Sequence, residues 1–164
     1  MAEIKSGDII FVSTRGIISD IIRKVTSGKF THVGIVSGSI KSHTLICEAG
    51  LNGIDQNDLI WRHKYKESYS IYRLNDITEH QRDELVSQCL LYVGLPYDYS
   101  ALINFFVKAS PFGTDKQLYC SEMIYRALIG LGLVEPKYNP EEISPTDLYW
   151  LLEPKMTLVH EEKF

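Results

Sequence analysis

Thr31-His32-Val33-Gly34-Ile35-Val36-Ser37-Gly38-Ser39-Ile40-Lys41-Ser42-His43-Thr44-Leu45-Ile46-Cys47-Glu48 holds two apolar runs around a short segment rich in Gly and Ser. Each run has the length of a strand, and the connection is short enough to predict an antiparallel pair, Thr31 to Ser37 with Thr44 to Glu48. In such a hairpin the beginning of the first strand lies opposite the end of the second, which makes His32 and Glu48 neighbours. Cys47 then points to the opposite face. Glu48 closes the apolar run Leu45-Ile46-Cys47, where a carboxylate without a partner is costly to bury.

Outward from the hairpin, Asp8 to Val12 is an apolar run after a Ser-Gly turn, which predicts a buried strand, and Ser68 to Leu74 alternates as a strand should. Gly16 to Thr26 places Ile17, Ile18, Ile21, Ile22 and Val25 on one helical face, with Gly28 as the stop. That face reads as sheet packing rather than membrane contact, because the polar side is not notably basic. Asp58 to Trp61 reads as a short helix or an edge segment.

The second half is mostly helical. Thr78-Glu79-His80-Gln81 is a capping-box pattern opening a helix to Val93, closed by Gly94, with Leu85, Val86, Cys89, Leu90 and Val93 as its apolar stripe. Cys89 on that stripe reads as a small buried hydrophobe. Leu95 to Tyr99 is a turn, and Ser100 to Ala109 an apolar helix containing Phe105 and Phe106, broken by Pro111 and Gly113. A helix follows from Cys120 to about Leu131. Ser144-Pro145-Thr146-Asp147-Leu148 feeds a last short helix, and Met156 to His160 adds a strand. The fold class is α+β. With no repeat or linker, residues 1–164 read as a single domain.

Composition sets outer limits. The chain is 45% hydrophobic and 23% charged, ordinary for a globular protein that builds a core without staples. Its net charge of −4 and lack of a Lys/Arg stripe argue against a nucleic-acid partner. Three widely spaced cysteines are no disulfide framework and favour a reducing compartment. Neither a secretory signal pattern nor an apolar run near the ~20 residues of a membrane span is present, so cytoplasmic location is expected.

Cys120 carries the chemistry. Met123, Ile124, Ala127, Leu128 and Leu131 follow it at helical spacing, so the cysteine stands at the start of a helix, where free amides and the helix dipole favour a thiolate. A buried structural cysteine is the plainer reading of any single cysteine. His32 supplies a base that can hold the thiol proton and return it, and Glu48 a carboxylate that fixes the ring. His43, His63, His80 and His160 read as surface residues. Cys120, His32 and Glu48 lack the close Cys-x-x-Cys or His-x-x-x-His pair that would anchor a metal, so neither metal nor other cofactor is expected.

Gly7-Asp8-Ile9-Ile10-Phe11, Thr31-His32-Val33-Gly34-Ile35-Val36, Cys47-Glu48-Ala49, Gly94-Leu95-Pro96-Tyr97-Asp98 and Tyr119-Cys120-Ser121-Glu122 occur in that order. Together they resemble the circularly permuted NlpC-type papain-like hydrolases, in particular the YiiX-like bacterial group, over Gly7 to about Leu148. The resemblance implies a papain-like α+β fold, a small antiparallel sheet or open barrel packed against helices that include the nucleophile helix. It also implies Cys120 as nucleophile, His32 as base and Glu48 as the residue polarising it. The cleft would lie near Ser13 to Gly16 and the Pro-Tyr-Asp turn, where Tyr97 and Tyr119 are candidates to line the substrate site, buried packing being the alternative.

The expected activity is that of a cysteine hydrolase cleaving an amide or ester bond through an acyl-enzyme, on a small peptide or amide. Lipid acyl transfer or lipid-ester hydrolysis on the same triad is the first alternative, with Ser100 to Phe112 as a lid or acyl-binding wall. A non-catalytic binding module is the second. Membrane contact is not favoured, and the oligomeric state is left open.

Overall fold

The computed structural model describes residues 3–14, 28–50, 53–95 and 120–164. The expected helices at 16–26 and 100–109 lie outside them. Six strands form one open antiparallel sheet: β1 (Ile9–Ser13), β2 (His32–Ile40), β3 (His43–Gly50), β4 (Gly53–Asp58), β5 (Ser68–Leu74) and β6 (Met156–Glu162). Their order across the sheet is β4-β3-β2-β1-β5-β6. Among the described residues, four α-helices accompany them, α1 (Ile60–Lys64), α2 (Glu79–Leu90), α3 (Cys120–Gly130) and α4 (Pro145–Leu152), with a 3-10 turn at Glu153–Lys155. The class is α+β.

β1 is interior to the sheet and covered on both faces, which is why it is apolar at consecutive positions rather than at alternate ones. Ile9 and Phe11 join Val33, Ile35, Cys47 and Ala49 in a core completed by α2, α3 and α4, while Ile10 and Val12 join Val36, Ile46, Tyr69 and Ile71 on the other face. Leu59, just before α1, belongs to this second cluster. α1 therefore lies over the face on which Ile46 stands.

Helix ends follow local chemistry. Thr78 and Ser144 both form complete capping boxes, with Gln81 and Asp147 as their partners, and Pro145 occupies the first turn of α4. In α2, Leu85, Val86 and Cys89 are buried as the stripe predicts, but the helix ends at Leu90. Val93, assigned to the stripe, is exposed in the turn beyond it. The 58–61 region resolves into the end of β4 and the start of α1.

Two polar anchors bear on the site. Asp8 is fully buried and held by Arg73, whose Nε and Nη2 donate to its two oxygens at 2.7 Å each, and by the backbone N–H of Lys5 at 2.8 Å. Gly7, at φ +83°, is pressed against Arg82, so that a Cβ there would lie 2.1 Å from Arg82 Cγ. At the entry to β2, the N–H of Phe30 donates to Thr146 Oγ1 at 3.1 Å, and that hydroxyl donates to the Phe30 carbonyl at 3.2 Å. The first turn of α4 thus fixes the backbone two residues before His32.

Candidate active site

β2 and β3 pair in the register Gly34 with Glu48, Ile35 with Cys47 and Val36 with Ile46. His32, two residues before Gly34, shares its face, and the missing side chain at Gly34 leaves a diagonal path to Glu48. A Cβ at Gly34 would meet Ile46 Cγ2 at 2.7 Å and both the Cys47 carbonyl oxygen and Glu48 Cβ at 3.2 Å. Across this gap His32 Nε2 reaches Glu48 Oε2 at 2.7 Å. Cys47 faces the opposite core, as alternation requires.

Cys120 is the first residue of α3, a helix buried along most of its length against β2 and β3. Three further hydrogen bonds hold that helix in place. Ser121 Oγ donates to the Ile143 carbonyl at 2.6 Å, and Tyr125 Oη accepts from the N–H groups of Lys137 and Tyr138 at 2.8 and 2.9 Å. The His32 ring and the backbone N–H groups of Val33 and Ser121 lie close enough to the Cys120 sulfur to favour its ionised form. With Nε2 committed to Glu48, the ring presents Nδ1 to Cys120. Cys120, His32 and Glu48 are thus in one chain of contacts.

Their charges support one another. Burial alone would raise the Cys120 pKa, but His32, then the two backbone N–H groups, outweigh it and bring the thiol below its ordinary range. Burial would likewise keep the His32 ring neutral. The negative charges of Cys120 and Glu48 overcome that and push its pKa up to about 9. For Glu48, burial favours the neutral acid, yet His32 and Arg62 outweigh it and lower its pKa to about 2. Cys47 moves the other way, pushed up to about 12 by burial and then by Glu48 and Asp55, and burial also raises Cys89. Among the three thiols, Cys120 alone has its pKa lowered rather than raised.

Two polar partners of Glu48 escape a reading of the sequence. Arg62, on α1, contacts Glu48 Oε2 through Nη2 and Glu67 Oε2 through Nη1 at 2.5 Å. Asn57 Nδ2 donates to Glu48 Oε1 at 3.2 Å from β4. Arg62 is surrounded in sequence by Trp61, His63 and Lys64 and reads there as part of a solvated basic cluster. The need of a buried carboxylate for a permanent cation is the signal that points to it.

The other histidines scatter. His43 is exposed and paired with Asp58, His80 is exposed near Glu84, and His63 is exposed with its Nε2 2.9 Å from Tyr69 Oη. His160, expected at the surface, is instead half-buried in β6 and stacked on Tyr69. Tyr97 and Tyr119 lie outside the described residues. Among the described residues no three His, Cys, Asp or Glu side chains are arranged to hold a metal ion, and no helix is long and apolar enough to cross a membrane.

Residues 3–141 match the model of the permuted papain-like amidase enzymes, the YaeF/YiiX or C92 family. The structure resembles a crystal structure titled as the metalloprotein yiiX from Escherichia coli O157:H7, with a TM-score of 0.72 and 20% sequence identity over 98% of each chain. That likeness is one of fold. No curated protein matches the sequence.

Proposed function

Because the chain belongs to the permuted papain-like amidase family and is a thiol hydrolase, we propose that its reaction runs on Cys120 as nucleophile, His32 as acid–base and Glu48 as the residue orienting His32. The observation that carries this is the His32 ring, bonded through Nε2 to Glu48 at 2.7 Å and placed beside Cys120, the first residue of α3, closely enough to lower the thiol's pKa.

Proton transfer from Cys120 to His32 gives a thiolate–imidazolium pair. The thiolate attacks the substrate carbonyl carbon, and free backbone N–H groups at the start of α3 stabilise the oxyanion. His32 then protonates the leaving amine as the tetrahedral adduct collapses to a thioester. Water, deprotonated by His32, attacks that thioester and releases the acid, restoring the thiol. Glu48 stays ionised throughout and keeps Nε2 engaged.

A small peptide or amide is the proposed substrate, in a reducing compartment that keeps all three cysteines as the free thiols they are. The lipid-acyl alternative rests on residues 100–112, which lie outside the described structure. The solved relative is titled a metalloprotein. In this chain the Arg62 guanidinium already contacts Glu48 Oε2, and its charge opposes a cation there, so these residues do not suit a resident metal and no step uses one.

The test is iodoacetamide labelling of each cysteine against pH, in wild type and His32→Ala, followed by hydrolysis of a panel of small peptides and amides. Cys120 is expected to react well below pH 7 and to lose that reactivity without His32, while Cys47 and Cys89 stay inert. An ordinary thiol profile near pH 8.5 at Cys120 would refute the triad.

A further inference from the structure

Glu48 is held by more than His32. Its carboxylate is 7% exposed, and Oε2 is shared between His32 Nε2 and Arg62 Nη2, while Oε1 accepts from Asn57. Arg62 is itself 14% exposed and tied down on its other side by Glu67. Its backbone is fixed as well, since the N–H of Arg62 donates to Leu59 O and the N–H of Glu67 to Arg62 O, both at 2.9 Å. The guanidinium fork is thus anchored at both ends. Asp55, the exposed register partner of Glu48 on β4, adds negative charge to the same edge. The His32 proton that comes and goes is on Nδ1, so the Nε2–H bond to Glu48 persists while the ring's positive charge does not. A permanent cation keeps its charge at every step.

We propose that Arg62 is a positioning residue for catalysis, clamping the Glu48 carboxylate so that its Oε2 stays on His32 Nε2 and the opposite ring nitrogen stays on Cys120. This rests on the triad reading above and extends it from three residues to four. The charged and titratable groups that bear on Glu48 are His32 from β2, Asp55 from β4, Arg62 and Glu67 from α1 and the segment after it, and, through His32, Cys120 from α3. Removing Arg62 leaves Glu48 held only by His32 and Asn57 and without a permanent cation beside it, and both changes disfavour the thiolate. The same cation serves the fold as well, so loss of stability alone would not identify the role. Coupling to Glu48 does.

The experiment measures iodoacetamide labelling of Cys120 against pH in wild type, Glu48→Gln, Arg62→Met, Arg62→Lys and the double variant Glu48→Gln/Arg62→Met, with thermal melts alongside. Arg62→Met is expected to move the acid limb up by roughly one pH unit, a shift typical of losing one close opposite charge. Arg62→Lys restores part of it, because charge returns but the fork does not. In the Glu48→Gln background, Arg62→Met moves the limb no further, since the residue acts through that carboxylate. Should Arg62→Met fail to fold, Arg62→Lys and the double variant, which leaves no unpaired carboxylate at Glu48, carry the same comparison. A lowered melting temperature with an unmoved limb makes Arg62 merely structural, and equal shifts with and without Glu48 also overturn the proposal. If Glu48→Gln and His32→Ala themselves leave the limb in place, the triad fails first and takes this inference with it.

Discussion

Replacing Gly34 with alanine adds a single methyl group where β2 and β3 come closest beneath the His32–Glu48 bond. That methyl would sit 2.7 Å from Ile46 Cγ2, 3.2 Å from the Cys47 carbonyl oxygen and 3.2 Å from Glu48 Cβ. Favourable carbon–carbon contact begins near ~3.5 Å. Ile46 is 1% exposed and packed in the second core, so it has little room to turn away. The carbonyl oxygen belongs to the ladder itself. Relief therefore comes from moving β3 off β2 by several tenths of an ångström, at a cost of about 1–3 kcal/mol typical of overpacking. Glu48 moves with its strand, and the 2.7 Å bond to His32 Nε2 lengthens toward the limit at which it ceases to count. We expect Gly34→Ala to unfold at lower urea and the Cys120 labelling profile to shift toward that of an ordinary thiol. Trimming Ile46 to alanine in the same chain removes the closest clash, so the double variant should be less destabilised than the two singles together predict. Wild-type stability with a wild-type labelling profile in Gly34→Ala would refute the close-approach argument.

Three further outcomes follow from the same geometry. Glu48 has its pKa lowered from 4.5 to about 2, so its stabilising contribution is full above pH ~4.5 and is lost as pH falls toward 2; acid titration followed by circular dichroism should show a loss on the order of 3 kcal/mol across that window, largely absent in Glu48→Gln. Asp8→Ala leaves Arg73 facing a site without its carboxylate, which should cost about 1–3 kcal/mol in urea unfolding, and Arg73→Met in the same background should recover part of it. Thr146→Val removes the hydroxyl that both receives from and donates to the backbone of Phe30, with an expected loss of about 1–3 kcal/mol by thermal melt; an unchanged melt would show that the entry to β2 does not depend on α4.

What sequence reading reached, and what it missed, separates along physical lines. Ile9 to Val12, Ser68 to Leu74, Thr78 and Ser144 announce themselves because burial and capping are written in adjacent residues. His32 and Glu48 could be paired because hairpin register is a local property. β4 escaped: Gly53-Ile54-Asp55-Gln56-Asn57-Asp58 is nearly all polar, as an edge strand tolerates, and only pairing with β3 makes it a strand. Arg62 escaped for another reason. Nothing within its own neighbours distinguishes it from Lys64, and its partner is reached only when α1 folds back over the sheet. Val93 followed the helical period one turn too far, past the end of the hydrogen-bonded helix at Leu90.

His32 and Glu48 lie 16 positions apart on one hairpin, whereas Cys120 arrives from the far half of the chain. Two of the three residues of the proposed triad are therefore contained in a short local segment, and the third joins only when α3 docks. Until it does, the cysteine has no imidazolium beside it and carries the low nucleophilicity of any solvated thiol. On the proposed triad, a nascent or damaged chain therefore has no armed sulfur to alkylate, oxidise or cross-link its neighbours. If the proposed triad holds, reactivity of Cys120 at mildly acid pH reports completed assembly and is read by the mass shift of labelling.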